Sequence, residues 1–365
     1  MNRFSIPFGS PAPREDTAGI RAAIDRVVGS GWYVLGPEVA AFETEFAAAC
    51  GAAHAVGVGT GTDAIALILR GLGIGPGDEV ITTPLSAAYT ALAVMMTGAR
   101  PVFADIDDER LTLDPDAVEA AVTSRTRAIL PVHLYGQAAD MNALAAVASR
   151  HGLALVEDAC QAHLATAAGR PVGTIGVAGA FSFYPTKNLG ALGDGGAIVT
   201  NDASLAARLK RLRNGGQSDR YHHAEFGINS RLDEMQAAIL RARLPYLADW
   251  TTSRRALAGA YRAALAGAST RVPRECDPGH VYHLFVVRTA RREQLQHHLA
   301  KDGIETLVHY PVPIPRQAAL ASQDPDDCPL ANRACDEVLS LPLHPGLATS
   351  DIATVATSLC RFLEG

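Results

Sequence analysis

The sequence predicts an α/β fold, with a large and mostly parallel sheet domain followed by a smaller α+β unit. Three observations predict it. From about residue 50 to 200, short β-like runs alternate with helical patterns, as crossover units of a parallel sheet do. The turns between them are rich in glycine, proline and aspartate, most clearly Gly73-Ile-Gly-Pro-Gly-Asp78. After residue 230 the alternation stops and longer helical stretches take over. The length of 365 residues agrees, because a prior of about 150 residues per domain suggests roughly two.

The strand candidates are residues 53–58, 80–83, 101–104, 128–132, 154–157, 180–183 and 197–200. Among the intervening helices, 63–72 carries Ile65, Ile68, Leu69 and Leu72 on one stripe. Residues 141–151 repeat the pattern with Met141, Leu144, Ala145 and Ala148. Residues 232–266 read as helix interrupted near Pro245. Then come a strand at 281–288, a helix at 292–302, a strand at 304–309, a Pro-rich loop at 310–315 and a closing helix at 350–362. The expected domains are 1–245 and 246–365, with the N-terminal segment free to pack on the smaller one. Ligands of such sheets sit beyond the carboxyl ends of the strands.

Composition narrows the function classes. The balance of 32 Lys+Arg against 38 Asp+Glu, a net charge of −6, is the reverse of a broad nucleic-acid footprint. Hydrophobic residues make up 48% and charged ones 19%, enough to bury a sizeable core. None of the 6 cysteines has C-x-x-C spacing, so neither a zinc knuckle nor a redox dithiol is indicated. Residues 1–17 mix charge and proline without an apolar stretch, so no signal peptide is expected. No apolar run approaches the roughly 18 residues of a membrane span. A cytoplasmic enzyme of enzyme-like size is the expectation.

Three segments could carry chemistry. Gly57-Val-Gly-Thr-Gly-Thr-Asp63 follows a strand and opens a helix. It lacks the sixth glycine of a dinucleotide fingerprint and the Gly-Lys of a P-loop. A one-phosphate cradle at a helix N-terminus and a plain turn capped by Asp63 both fit it. Glu157-Asp158-Ala-Cys-Gln161-Ala-His163 puts carboxylates at a strand end, where a lone acid is often only a helix cap. Phe181-Ser182-Phe-Tyr-Pro-Thr-Lys187 ends a strand and sets a lysine in a turn before Gly190-Ala-Leu-Gly-Asp-Gly-Gly196. Most lysines are solvated surface charges. In this order, however, a phosphate cradle, an acid and a lysine are the three anchors of pyridoxal phosphate.

With those stretches in place, the chain resembles the fold-type I pyridoxal-phosphate sugar aminotransferases of the DegT/DnrJ/EryC1/StrS family over nearly its whole length. Further matching stretches are Gly31-Trp-Tyr-Val-Leu-Gly-Pro37, Gly75-Pro-Gly-Asp-Glu-Val-Ile81, Gly227-Ile-Asn-Ser-Arg-Leu-Asp233, His309-Tyr-Pro-Val-Pro313 and Leu339-Ser-Leu-Pro-Leu343. The resemblance implies a seven-stranded, mostly parallel large domain. It makes Lys187 the lysine joined to the cofactor and the proton carrier, and Asp158 the partner of the pyridine nitrogen. Gln161 would bond the phenolic oxygen, while Thr62, Asp63 and Ser182 would hold the phosphate. Asn229 would reach the phosphate of a neighbouring subunit, so that a homodimer shares its active sites. The cofactor would alternate between pyridoxal and pyridoxamine phosphate.

Two positions depart from the family pattern. The aromatic that stacks on the pyridine ring aligns with Ala87, leaving Tyr89 as the candidate substitute or as a packed helix residue. Leu164 stands where the family commonly has glycine. The implied substrates are a nucleotide-linked ketosugar and L-glutamate, with no nucleic acid or membrane partner. His309-Tyr-Pro-Val-Pro313 is most similar to members that aminate C3 of a dTDP-3-keto-6-deoxyhexose, the C4 group being the alternative. His309 and Tyr310 would line the sugar-nucleotide cleft, and Arg316 could meet the diphosphate. Dehydratase relatives carry histidine in place of the lysine, and Lys187 argues against that reading. The same Asp158/Lys187 pair argues against a nicotinamide-dependent sugar oxidoreductase and against a non-catalytic regulator.

Overall fold

The computed structural model describes residues 4–9, 14–320 and 327–364. Its centre is one sheet of β1 (His54–Val58), β2 (Glu79–Thr82), β3 (Arg100–Phe103), β4 (Thr126–Leu130), β5 (Ala154–Asp158), β6 (Ala178–Ser182) and β7 (Gly196–Thr200). The strand order is β1-β7-β6-β5-β4-β2-β3. Only β7 runs antiparallel, to both of its neighbours, and the remaining pairs are parallel. The expected α/β class with a mostly parallel seven-stranded sheet is the one that forms.

The helices of this part are α1 (Thr17–Ser30), α2 (Pro37–Ala49), α3 (Gly61–Gly71), α4 (Tyr89–Met95), α5 (Pro115–Ala121), α6 (Met141–His151), α7 (Ala203–Leu212) and α8 (Glu234–Arg243). Strand alternation splits the sheet's side chains between two cores. Val56, Val80, Leu130 and Val156 face Ile65, Ile68 and Leu69 of α3. Ala55, Ile81, Ile129 and Leu155 face Phe42 and Phe46 of α2 and Leu144 of α6. Buried on both faces, the strands are apolar through their middles, and at the carboxyl ends of two central strands Asp158 and Ser182 stand.

Pro245 breaks the long helical stretch as expected. A 3₁₀ turn at Leu244–Tyr246 separates α8 from α9 (Leu247–Ala264). The smaller unit adds β8 (Phe285–Arg288), α10 (Arg292–Lys301), α11 (Pro329–Glu337), β9 (Val338–Leu341) and α12 (Thr349–Glu364), with β8 and β9 antiparallel. Its core stacks Tyr261 on Phe285 at 4.7 Å and includes Leu295, Leu359 and Ile6 of the N-terminal segment.

Two expected strands change. The one at 281–288 shortens, because Val281 and Leu284 donate their amides to Gly136 and Tyr135 of the large domain instead of to a ladder. Tyr282 between them is left-handed at φ 47°. The strand expected at 304–309 does not form: Ile304 pairs with Ile6 and Leu307 with Ser340 as isolated bridges to different partners.

The two parts are tied together at Asp108. Its carboxylate accepts from Arg288 of β8 at 2.7 Å, from Arg271 at 2.6 Å and from Arg333 of α11 at 2.8 Å. Burial opposes its charge, yet the arginines outweigh that and hold the acid far below its ordinary range. Arg288 is 2% exposed, whereas Arg333 is exposed. Asp108→Ala, which leaves Arg288 buried with only Glu337 beside it, is expected to cost about 3 kcal/mol in urea unfolding. Arg333→Ala should cost under about 1 kcal/mol, and equal losses would contradict this reading of the clamp.

Candidate active site

The site is built where β1, β5 and β6 end and α3 begins. Thr60 caps α3, its hydroxyl accepting from the Asp63 amide at 3.0 Å. The expected Asp63 cap is not used; the Asp63 carboxylate instead accepts from Ser230, whose hydroxyl also takes the Gly59 amide at 2.9 Å. Because the Asp63 amide is committed to Thr60, the first amides of α3 that lack an intrahelical partner are those at Gly61 and Thr62. Close approach explains two glycines. A Cβ on Gly61 would lie 2.7 Å from Cys160 Sγ and 2.8 Å from Ser182 Cβ, and one on Gly196 would lie 2.4 Å from the Thr60 backbone. The helix start is thereby pressed onto the ends of β5 and β6.

Asp158 is 5% exposed and fixed on both oxygens. Oδ2 accepts from the Thr90 hydroxyl of α4 at 2.8 Å, and Oδ1 accepts from the Cys160 amide at 3.1 Å. Gln161 is held at both ends as well: Oε1 accepts from the Tyr135 amide at 2.8 Å, and Nε2 donates to the Tyr310 hydroxyl at 3.1 Å. Burial pushes the Tyr310 hydroxyl up to about 12, against the pull of that bond. Tyr135 sits at φ 59°, backbone strain of about 1–3 kcal/mol that such sites often hold. Its hydroxyl donates to the His309 carbonyl. Leu164, at φ 61°, adopts the left-handed conformation that suits the glycine of the family pattern.

Lys187 stands in the turn after β6, its amide bonded to the Tyr184 carbonyl at 2.8 Å. Its Nζ makes no hydrogen bond or ion pair among the described residues. Burial pushes the ammonium below its ordinary value, while Cys160 and Asp158 pull the other way. Three histidines lie within its field. His163, 1% exposed and packed on Phe181 and Phe183, is pushed by burial to about 3. His309, stacked on Phe8 and bonded to Ser340 Oγ at 2.9 Å, is pushed by burial to about 4. His283, bonded to Asn188, is driven well below its usual value, first by burial and then by Lys187.

Lys187, Asn188, His283, His309 and Arg254 line one cavity of about 220 Å³ between the two parts. Asp158, Gln161 and Ser182 are not on its wall, so Lys187 is the residue common to the cavity and the strand-end cluster. Tyr89 is elsewhere. It is 65% exposed and lines a shallow groove with Thr60, Thr62, Asp63, Met95 and Met96. Asn229 is exposed, beside Ser230, with no side-chain partner among the described residues. Arg316 is exposed in a 3₁₀ turn and lines neither space. Thr90, Tyr135, His283 and Arg254 were not singled out from sequence. Of these, only Thr90 had a nearby signal, three residues after Ala87 in the segment where the family's stacking aromatic falls.

The DegT/DnrJ/EryC1/StrS aminotransferase family matches residues 14–360. The chain belongs to this family. A relative from Streptomyces venezuelae, dTDP-3-amino-3,4,6-trideoxy-alpha-D-glucose transaminase, is 54% identical over 350 residues, 94% of this chain and 92% of the relative. A UDP-N-acetyl-3-dehydro-alpha-D-glucosamine 3-aminotransferase from Acidithiobacillus ferrooxidans is 45% identical over 97% of this chain and 96% of its own. The crystal structure of S. venezuelae DesV in complex with a ketimine intermediate superposes with a TM-score of 0.96, at 50% identity and 99% coverage of both chains. This DegT-family chain is therefore a transaminase that uses pyridoxal phosphate. Its residues fit that group: an acid fixed at a strand end, a half-buried lysine, and a helix start whose glycine has no room for a Cβ. No helix among the described residues is long and apolar enough to cross a membrane.

The buried histidines give the enzyme a pH dependence. His163 and His280 are pushed by burial to about 3, and His309 and His344 to about 4, against roughly 6.5 when unfolded. Between those values the unfolded chain binds more protons, so stability is full above about pH 6.5 and is lost as pH falls through the window. The urea midpoint is expected to drop steadily from pH 7 to pH 4.5. A midpoint constant over that range would contradict it.

Proposed function

We propose that the chain transaminates a nucleotide-linked 3-keto-6-deoxyhexose at C3, with L-glutamate as amino donor, in a homodimer whose active sites are shared. The observation that carries the chemistry is the meeting of Asp158, Lys187 and the start of α3 at the carboxyl ends of the strands. Pyridoxal phosphate, when bound, supplies an electron-accepting ring that stabilises the pair left when a C–H bond beside nitrogen breaks. The chain's residues do the rest. The free amides of Gly61 and Thr62 at the start of α3, with the Ser182 hydroxyl, hold the phosphate, while the Asp63 carboxylate and Thr60 hydroxyl fix the turn that presents them. Thr90 and the Cys160 amide hold Asp158 in place, so that its carboxylate keeps a proton on the ring nitrogen. Gln161, braced by Tyr135 and Tyr310, donates to the phenolic oxygen. Lys187, whose amine burial keeps easier to deprotonate, takes and returns the proton at the reacting carbon.

Regiochemistry is supported by the relatives named as 3-amino or 3-dehydro sugar transaminases and by His309 and Tyr310 beside the Lys187 cavity. Assembly is supported by the exposed Tyr89, Met95 and Met96 around the phosphate cradle, with Trp32, Tyr33 and Phe226 also exposed. Apolar surface of this kind marks an interface. The exposure of Asn229, whose side chain has no partner among the described residues, supports the same reading.

The purified protein is expected to be yellow, and borohydride should fix the chromophore to Lys187. Lys187→Ala should lose at least about 10³-fold in turnover while still binding the cofactor. With L-glutamate and the 3-keto and 4-keto nucleotide sugars offered separately, amine should appear at C3. Amination confined to C4 would refute the regiochemistry, and a colourless protein that retains NAD would refute the chemistry.

A further inference from the structure

Three hydrogen bonds close a ring around Gln161 that runs through both parts of the molecule. The Tyr135 amide donates to Gln161 Oε1 at 2.8 Å, and Gln161 Nε2 donates to the Tyr310 hydroxyl at 3.1 Å. The chain steps back from Tyr310 to His309, whose carbonyl accepts from the Tyr135 hydroxyl. Tyr135 thus holds both ends of the ring, one through its backbone and one through its side chain. Gln161 and Tyr135 are each 4% exposed, so solvent does not compete for these bonds.

The turn that carries Tyr135 is also the seat of the small unit. The Tyr135 carbonyl accepts from the Leu284 amide at 3.3 Å, and the Gly136 carbonyl accepts from the Val281 amide at 3.0 Å. A Cβ on Gly136 would lie 2.9 Å from the His283 amide nitrogen, so backbone meets backbone there. Tyr135 and the partly buried Tyr310 share one apolar cluster with Leu85 of the large part and with Leu284 and Val338 of the small unit. A shift of the small unit on the sheet therefore moves the Tyr135 turn and the His309 carbonyl together.

A carboxamide has one acceptor oxygen and two N–H donors. The Tyr135 amide can meet only the oxygen, which fixes which end of the Gln161 carboxamide is which. Tyr310 takes one N–H, and the second is left for a ligand. Burial pushes the Tyr310 hydroxyl up to about 12, so it stays neutral at the pH where the enzyme is folded and active.

We propose that Tyr135 is a positioning residue: through this ring it passes the seating of the small unit to the Gln161 carboxamide, and so sets how firmly Gln161 donates to the phenolic oxygen of the cofactor. The proposal rests on the assignment of that oxygen to Gln161 and adds the residue that governs the bond. A hydrogen bond favours the charged form of its acceptor. Donation by Gln161 favours the state in which the phenolic oxygen has lost the proton it shares with the lysine-bound nitrogen, and so lowers the pH at which the yellow band fades. Opening the ring lets the carboxamide turn, and the band persists to higher pH. The titratable groups facing the ring are Asp158 and Cys160 beside Tyr310, Cys335 of α11 and Arg288 of β8 beside Tyr135, and Lys187 beside His309. The variants below leave all five in place.

The test is a pH titration of the visible band of the yellow holoenzyme without substrate. Tyr135→Phe keeps the backbone bonds and removes the hydroxyl. It is expected to raise the midpoint by about one pH unit, the tenfold effect of weakening a hydrogen bond to a charged group. Tyr310→Phe opens the ring at its other end and should raise the midpoint similarly. The double variant should add nothing further, because a single ring opens once. Tyr261→Phe is the control: its buried hydroxyl also donates to a backbone carbonyl, that of Pro342 at 3.0 Å, yet lies outside the ring, and its midpoint should stay in place. Gln161→Met separates the proposal from the assignment beneath it. If Gln161→Met moves the midpoint and a folded, yellow Tyr135→Phe does not, the proposal fails and the assignment stands. If Gln161→Met leaves the midpoint in place, the assignment fails and takes the proposal with it. An unmoved Tyr310→Phe, additive shifts in the double variant, or an equal rise in Tyr261→Phe also overturns the proposal.

Discussion

The arrangement depends on one buried carboxylate that does not touch the reaction. Glu157 is fully buried at the end of β5, where successive side chains point to opposite faces. Its oxygens accept from His133 Nε2 at 3.0 Å and from the amides of Gly173, Ile175 and Gly176 at 2.7–2.8 Å. The Ala139 amide donates to His133 Nδ1 at 3.1 Å, so Nε2 is the nitrogen that carries the proton toward Glu157. Burial opposes the charge, but His133 and the amides outweigh it and hold the acid below its ordinary value. Because Glu157 anchors the strand end from behind, the next residue, Asp158, is presented on the other side at a fixed height.

From that anchor the site assembles by contact rather than by sequence proximity. Asp158 meets Thr90, 68 residues away, and Gln161 meets Tyr310, 149 residues away. The small unit contributes His283, His309 and Arg254 to the cavity, and the Asp108 clamp fixes its seat on the sheet. Lys187 is thus held between an acid on one side and neutral histidines on the other. Burial dominates its environment.

Much of this was legible in the residues. Alternating strand and helix patterns identified the parallel sheet, and Asp158, Gln161, Ser182 and Lys187 lie at or just beyond strand ends because such sheets expose polar groups there. The break at Pro245 and the glycine-like position of Leu164 were readable too, the first from proline's missing N–H and the second from the family pattern. What was not legible shares one feature. Thr90, Tyr135 and Arg254 sit in ordinary helix or loop contexts, and each matters only through a partner distant in the chain. The strand expected at 304–309 failed for the same reason: its periodicity suited a ladder, but its neighbours in space offered only single bridges.

The amino-acid sequence by itself determined the fold class and the family, and located the acid, the lysine and the glycine-rich turn before α3, because these rest on short-range pattern and residue type. Tertiary structure alone decided how those groups are held and what surrounds them. It withdrew the Asp63 amide to Thr60, turned Tyr89 outward to an exposed groove, and brought Arg254 of α9 to the wall of the Lys187 cavity. The reason is physical: hydrogen-bond partners and burial are properties of where distant segments pack, and a linear pattern carries no record of them.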